Sequence, residues 1–217
     1  MKPRFSNQRN QALTLVEVLL VIVVLAALAL IILPALSAAK RTGGSRCVTN
    51  IKEIGLAFQI WEGDNNGKFP MEVSVMNGGA KESAVIGNVV AIFQVMSNEL
   101  STPKILLCQK DKDKNYATNF NSDFSAKNIS YFIGLNADKD HLQSFLSGDD
   151  NFAISGVPVK SGTLELSSNA AIAWTTTRHN RVGNIGLADG SVQMLNNPQL
   201  PSFIQATGLA TNRLTIP

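Results

Sequence analysis

The sequence is poor in charged residues, which make up 16% of its 217 residues, well below the roughly 25% that is usual for soluble domains. Lys2, Arg4 and Arg9 are the only charged residues in segment 1–12, and the rest of the chain holds equal numbers of basic and acidic residues. Because nucleic-acid binding needs a broad cationic surface, the neutral body of the chain excludes a nucleic-acid partner.

Cysteine and histidine are also scarce, with two of each in the chain. No Cys-x-x-Cys pair occurs, and His141 and His179 stand at no metal-ligand spacing, so the sequence predicts no metal site. Cys47 and Cys108 are predicted to form a disulfide, which would close a loop of roughly 60 residues and tie a helix to a sheet. Two separate buried thiols are the alternative.

One long apolar run occupies residues 13–33, where Glu17 is the only charged residue. As a helix this run would be roughly 32 Å long, about the thickness of the hydrocarbon core of a bilayer. The sequence therefore predicts a transmembrane helix over residues 13–36. An ordinary signal peptide, cleaved near residues 37–39, is the alternative, but the run is longer than usual for that class and contains a carboxylate.

Residues 11–17, Gln-Ala-Leu-Thr-Leu-Val-Glu, followed by this apolar run, resemble the N-terminal signal of type IV prepilins and type II secretion pseudopilins. The resemblance implies that a prepilin peptidase cuts between Ala12 and Leu13, removes the basic leader 1–12 and methylates the new amine. Glu17 then stands at the fifth mature position. In an assembled filament, Glu17 of one subunit would pair with the Leu13 amine of its neighbour.

The same resemblance implies a location and a set of partners. The chain is predicted to cross the cytoplasmic membrane of a bacterium once, with the leader in the cytoplasm and residues 37–217 carrying the extracytoplasmic head. Pro34 falls where many pilins have a proline, and it predicts a kink because it removes a backbone donor. The implied partners are the prepilin peptidase, identical or related pilin subunits, and an inner-membrane assembly platform.

Beyond the apolar run, the sequence predicts an amphipathic helix with an apolar stripe at spacings of three and four: Val48, Ile51, Ile54, Phe58 and Trp61. Residues 63–67, Gly-Asp-Asn-Asn-Gly, predict the end of this helix. Such a run is also typical of calcium loops, but the ligand spacing of an EF-hand is absent. A plain turn is therefore favoured, a structural calcium is unsupported, and no cofactor is expected.

Several shorter elements follow in the less regular middle of the chain. Residues 84–100 are predicted to form a helix, residues 111–128 an exposed loop, and three segments to form strands: 105–108, 130–135 and 170–175. Residues 182–195 predict a hairpin around Asp189-Gly190, the preferred dipeptide of a two-residue type I′ turn. In that register Leu187 faces Val192 and Ile185 faces Met194. The predicted fold class is α+β and pilin-like, with a membrane-spanning helix that continues into the amphipathic helix packed on a small antiparallel sheet.

His179 and the Asp189-Gly190 dipeptide are separated by nine residues. This spacing resembles the H-X9-DG segment of a bacterial group of prepilin-type proteins, in which a histidine often follows the Asp-Gly, where this chain has Ser191. We interpret the motif as structural and expect His179 to cap or hydrogen-bond a loop. A hydrolase that uses His179, Asp189 and Ser191 is disfavoured, because the tight turn uses Asp189 and no glycine-flanked nucleophile elbow is present.

The sequence thus predicts a structural subunit and not an enzyme. Its expected function is that of a pilin-like subunit of a type II secretion or type IV pilus-type filament, matured by prepilin peptidase. A membrane-tethered extracytoplasmic binding module that forms no filament is the alternative.

Overall fold

The computed structural model of the protein describes residues 15–25, residue 28 and residues 42–217. The chain divides between Thr42 and Gly43 into two compact units. The described residues 15–25 and 28 of the first unit are helical. The second unit, Gly43–Pro217, is an α+β head that contains both apolar cores.

The prediction of a transmembrane helix over residues 13–36 is wrong. Among the described residues, none of the helices combines the length and the apolarity that crossing a bilayer requires. The long helix α1, Thr42–Asp64, carries charged residues such as Lys52 and Glu53 on its exposed face. The same finding overturns the predicted single-pass location in the cytoplasmic membrane, together with the topology of leader and head that rests on it.

Helix α1 covers one core of the head with the apolar stripe that the sequence predicts. Four residues of this stripe are at most 5% exposed: Ile51, Ile54, Phe58 and Trp61. On the opposite face, Leu56 is 55% exposed. After α1 the chain turns as predicted, because Asn66 and Gly67 take left-handed φ angles of 58° and 71°. The Gly67 N–H then donates to the Glu62 carbonyl over 3.0 Å, which satisfies a carbonyl of the last helical turn.

Nine strands form two antiparallel sheets in the part of the head that the structure describes. The large sheet comprises six strands: β1 (Tyr131–Gly134), β2 (Phe145–Asp149), β5 (Gly162–Ser167), β7 (Val182–Leu187), β8 (Val192–Asn196) and β9 (Thr211–Ile216). The small sheet comprises β3 (Phe152–Ile154), β4 (Val157–Pro158) and β6 (Ile172–Trp174). The strand orders are β5-β9-β1-β2-β7-β8 and β4-β3-β6.

The strands predicted at 130–135 and 170–175 are confirmed as β1 and β6, but the prediction of one small sheet is wrong. The strands are only two to six residues long, and the central strands β1, β2 and β7 of the large sheet are buried on both faces. Short strands buried on both faces show little of the apolar–polar alternation by which a strand is recognised in a sequence.

The large sheet separates the two apolar cores of the head. On β1, Tyr131 and Ile133 contribute to the core that α1 covers, while Phe132 between them contributes to the other core. Three short helices close the first core: α2 (Lys81–Val85), α3 (Val89–Val95) and α4 (Ser97–Leu100). Trp174 of the small sheet and helix α5 (Leu200–Gln205) close the second.

Residues 84–100, predicted as one helix, are divided among α2, α3 and α4. Gly87 follows α2 with a left-handed φ of 77°, and Asn88 caps α3 by accepting a hydrogen bond from the Ala91 N–H over 3.2 Å. The prediction of a strand at residues 105–108 is also wrong. The chain forms a 3-10 helix there, Pro103–Leu106, and Cys108 lies two residues beyond it.

Strands β7 and β8 form a hairpin as predicted, but the predicted turn type and register are wrong. The Leu187 N–H donates to the Ser191 carbonyl over 2.9 Å, and the Gly190 N–H donates to the Leu187 carbonyl over 3.0 Å. The loop therefore has three residues, with Gly190 in the left-handed region at φ 82°, as in a type I turn followed by a bulge. Ile185 consequently pairs with Gln193 instead of Met194.

Candidate functional site

The two cysteines meet in the core beneath α1. Cys47 lies on the buried face of α1, and Cys108 follows the 3-10 helix Pro103–Leu106; both side chains are fully buried. Their sulfur atoms are 2.6 Å apart and are not joined by a disulfide, in which the separation would be about 2.05 Å. The structure thus brings together the two residues that the sequence pairs, while their oxidation stays a prediction.

His179 lies against the same pair of cysteines. Its Nε2 atom is 3.3 Å from the Cys108 sulfur and 3.7 Å from Oδ2 of Asp149. The loop between β6 and β7 holds the imidazole there, because the following residues Asn180 and Arg181 both take left-handed φ angles, 51° and 66°. The histidine that the sequence assigns to a loop contact therefore belongs to a cluster with both cysteines.

Asp149, at the end of β2, is the fourth member of this cluster and is fully buried. Its Oδ2 atom accepts hydrogen bonds from the backbone N–H and the side-chain amide of Asn184, over 2.8 Å and 2.7 Å. Oδ1 has no hydrogen-bond partner among the described residues. A buried carboxylate oxygen without a partner is costly, so Oδ1 marks a position where a bound group would be stabilised.

The charges of the cluster shift its ionisation equilibria. Burial lowers the pKa of His179, but the interactions with Asp149 and with Cys108 outweigh burial and raise that pKa to about 9. The hydrogen bond with Cys108 lowers the pKa of Cys47. The same contact, together with burial, raises the pKa of Cys108. The raised pKa of His179 favours its imidazolium form beside Asp149, and the raised pKa of Cys108 favours its thiol form.

A second polar cluster lies beside the first. The Arg178 guanidinium contacts Asp150 and lies 3.4 Å from Oδ2 of Asp111, and it donates to the Ser130 carbonyl over 2.9 Å. The Lys114 ammonium lies 3.0 Å from the Asp150 carboxylate. These ion pairs fix the segment that carries His179, because Arg178 is its immediate neighbour in the chain.

An open cleft of about 650 Å³ borders this second cluster, lined among others by Lys160, Thr175 and Asn151. Asn151 is 6% exposed, and neither atom of its side-chain amide has a hydrogen-bond partner in the described part of the chain. The hydrogen-bonding capacity of this buried amide is therefore unsatisfied among the described residues.

His179 and Asp189, the two ends of the H-X9-DG motif, make contacts in different parts of the head. His179 joins the cysteines, whereas the Asp189 carboxylate accepts a hydrogen bond from the Ser191 backbone N–H over 2.8 Å within the hairpin loop. Gly190 packs against α1, where a Cβ atom would lie 2.8 Å from the Gln59 amide nitrogen. The Asp189 carboxylate therefore orders the loop backbone, and Gly190 permits its close approach to the helix.

Three residues of the predicted assembly machinery lie outside the described residues: Ala12, Leu13 and Pro34. Glu17 lies on the described helical segment 15–25 and is exposed. The prediction of the cleavage site consequently stays a prediction.

Sequence reasoning missed the convergence of His179 and Asp149 on the cysteines. Cys47 and Cys108 are separated from each other by 61 positions, and Cys108 and His179 by 71, so no local spacing reveals the cluster. Asp149 stands in a run of Ser, Gly, Asp and Asn that resembles an ordinary turn.

Compared with known protein families, with characterised proteins and with solved structures, the chain matches none.

Proposed function

We propose that the protein is a pilin-like structural subunit, which assembles into a filament through its N-terminal helix after prepilin peptidase has removed residues 1–12. The observation that carries this proposal is the apolar surface of residues 15–25. Every residue of this segment except Glu17 is a large aliphatic residue, and their exposed fractions range from 45% at Val18 to 81% at Leu15.

This apolar surface surrounds the segment. Eleven consecutive helical residues make three turns, so their side chains point in every direction around the helix axis. A single flat partner would leave half of them in water, at a cost of about 25 cal/mol per Å² of apolar surface. A bundle of identical helices, as in the interior of a filament, would cover all sides at once.

Glu17 supplies a reason why the partners are copies of the same processed chain. A carboxylate inside an apolar bundle needs a cationic partner. Cleavage between Ala12 and Leu13 creates an amine one helical turn before Glu17 in the sequence, and a neighbouring subunit would present that amine to the carboxylate. Assembly would then depend on processing, since the amine does not exist before cleavage.

The first test is the intact mass and N-terminal sequence of the full chain, produced in a bacterium together with a prepilin peptidase. We expect a chain that begins at N-methylated Leu13. A chain that begins near Lys40 would show cleavage of an ordinary signal peptide and would refute the proposal.

The second test compares filament yield, by sedimentation and electron microscopy, in wild type, Glu17→Ala and the control Glu53→Gln on the exposed face of α1. Breaking one buried ion pair costs about 3–5 kcal/mol, so Glu17→Ala should lower the yield at least tenfold, while the control should not. Equal yields in all three would contradict the proposed role of Glu17.

A further inference from the structure

We propose that Cys47, Cys108 and His179 bind a zinc ion, with Asp149 as the fourth ligand. The two sulfur atoms and a ring nitrogen of His179 all lie within 4.8 Å of one another. Thiolate, imidazole and carboxylate are the ligands that zinc prefers, and four of them make a closed structural site. The proposal concerns the head alone and does not depend on filament assembly.

Asp149 provides an observation that is independent of the cysteine and histidine positions. Its side chain is fully buried, its Oδ2 lies 3.7 Å from the Nε2 of His179, and its Oδ1 has no hydrogen-bond partner among the described residues. A metal ion beside this carboxylate would satisfy the open oxygen. The two hydrogen bonds from Asn184 to Oδ2 orient the carboxylate, as outer contacts do for metal ligands.

The four donors come from four separate parts of the head: helix α1, the chain after the 3-10 helix Pro103–Leu106, strand β2 and the loop between β6 and β7. A disulfide would join only the first two and would not engage His179 or Asp149. Zinc would use all four, and it would tie the helix that bears Cys47 to the large sheet.

Zinc binding requires the donor atoms to move, since only those of Cys47, Cys108 and His179 lie within 4.8 Å of one another. The structure indicates how far the two sulfur atoms must separate. With Zn–S bonds of about 2.3 Å in a tetrahedral site, the sulfur atoms would be roughly 3.7 Å apart. From their separation of 2.6 Å they must open by about 1 Å. Side-chain rotation can provide this, while the Asn50 amide, which donates to the Leu107 carbonyl over 3.1 Å, keeps α1 and the Cys108 segment together.

The test uses the full chain, and free thiols of the purified protein are first counted by alkylation before and after reduction. The chain is then reduced, stripped of metal with a chelator and dialysed against Zn²⁺, and zinc per chain is measured by elemental analysis. We expect one zinc per chain, bound by thiols that react once zinc is removed. Failure of the reduced wild type to bind zinc, or thiols that react only after reduction, would overturn the proposal and support the disulfide.

Variants locate the site. Cys108→Ser and His179→Gln should lose the zinc, while the control His141→Gln, which alters an exposed histidine paired with Asp138 over 2.7 Å, should keep it. Because a core variant can misfold, Co²⁺ bound to the wild type gives a second measurement. Its spectrum should show thiolate-to-cobalt charge transfer and the bands of a tetrahedral ion. An octahedral spectrum without charge transfer, or full zinc binding by His179→Gln, would refute the assignment.

Discussion

Lys114 is a partly buried cation whose surroundings oppose its charge. Burial lowers its pKa to about 8, against the attraction of Asp111 and with the added repulsion of Arg178. Burial dominates even though the Asp150 carboxylate lies 3.0 Å from the ammonium. The protonated Lys114 side chain therefore lowers the stability of the folded chain.

The pH dependence of stability should reveal this cost. Between about pH 8 and pH 10.5 the unfolded chain holds more protons on Lys114 than the folded chain does, so this residue makes the free energy of unfolding rise with pH. We expect the stability difference between wild type and Lys114→Met to shift in favour of wild type across that window, as measured by urea unfolding. Lys52→Met is the control for removing an exposed positive charge. If the difference in unfolding free energy between the two proteins stays constant with pH, or shifts in favour of Lys114→Met, the ion pairs and not burial determine the pKa of Lys114.

The sequence predicts the residues of the cysteine cluster only in part. The pairing of Cys47 with Cys108 follows from their being the only two cysteines, since a pair leaves no alternative partner. His179 and Asp149 join them through the packing of β2 and of the loop after β6, and no sequence spacing encodes a contact between residues so far apart.

At the scale of elements, the two faces of α1 differ sharply in burial. Phe58 is fully buried and meets the Phe69 ring edge-on, with 5.6 Å between the ring centroids, whereas Leu56 is 55% exposed. The two residues are only two positions apart in the sequence. Their positions make a matched pair for testing which face of α1 is buried.

Replacing each of these residues by alanine should give very different results. Phe58→Ala should lower the free energy of unfolding by about 3–5 kcal/mol, because it leaves a cavity and removes the aromatic contact. Leu56→Ala should change it by no more than about 0.5 kcal/mol. Denaturant unfolding of the two variants measures the difference. Equal losses would mean that the exposed face of α1 is also covered.

An element whose apolar residues repeat with a regular period can be predicted from the sequence. An element whose bounds depend on tertiary packing cannot. The stripe of α1 is visible because it repeats over several turns. The hairpin β7–β8 is also visible, but its register depends on whether the loop has two or three residues, and Asp189-Gly190 fits either loop. The break between α2 and α3 escapes prediction because Gly87 interrupts a pattern of apolar residues that otherwise continues.

At the scale of the whole molecule, both apolar cores are built from residues at or beyond Cys47. The long apolar run at residues 13–33 gave the strongest sequence signal, yet the membrane-spanning helix inferred from it is wrong. The hydropathy of a segment indicates that its apolar surface must be covered, but it does not identify what covers that surface.

A charge placed on the apolar segment should separate association from folding. Ile22→Glu should reduce sedimenting assemblies at least tenfold, because a carboxylate without a partner in an apolar bundle is costly. The unfolding free energy of the head should stay within about 0.5 kcal/mol of wild type. Val157→Glu, at an exposed position of the head, is the control for added charge. Loss of head stability in Ile22→Glu would show that residues 15–25 contribute to folding of the head.

Strand β9 sets the order in which the head can be completed during synthesis. It is the last of the nine described strands, yet it lies inside the large sheet between β5 and β1, and it is the partner along the full length of β5. Strand β5 can therefore join the sheet only after β9, which ends at Ile216, has been synthesised. Until then, the edges of β1 and β5 that pair with β9 are open, and such edges are templates for pairing with another chain, so a chaperone that shields them would act on this protein before β9 is in place.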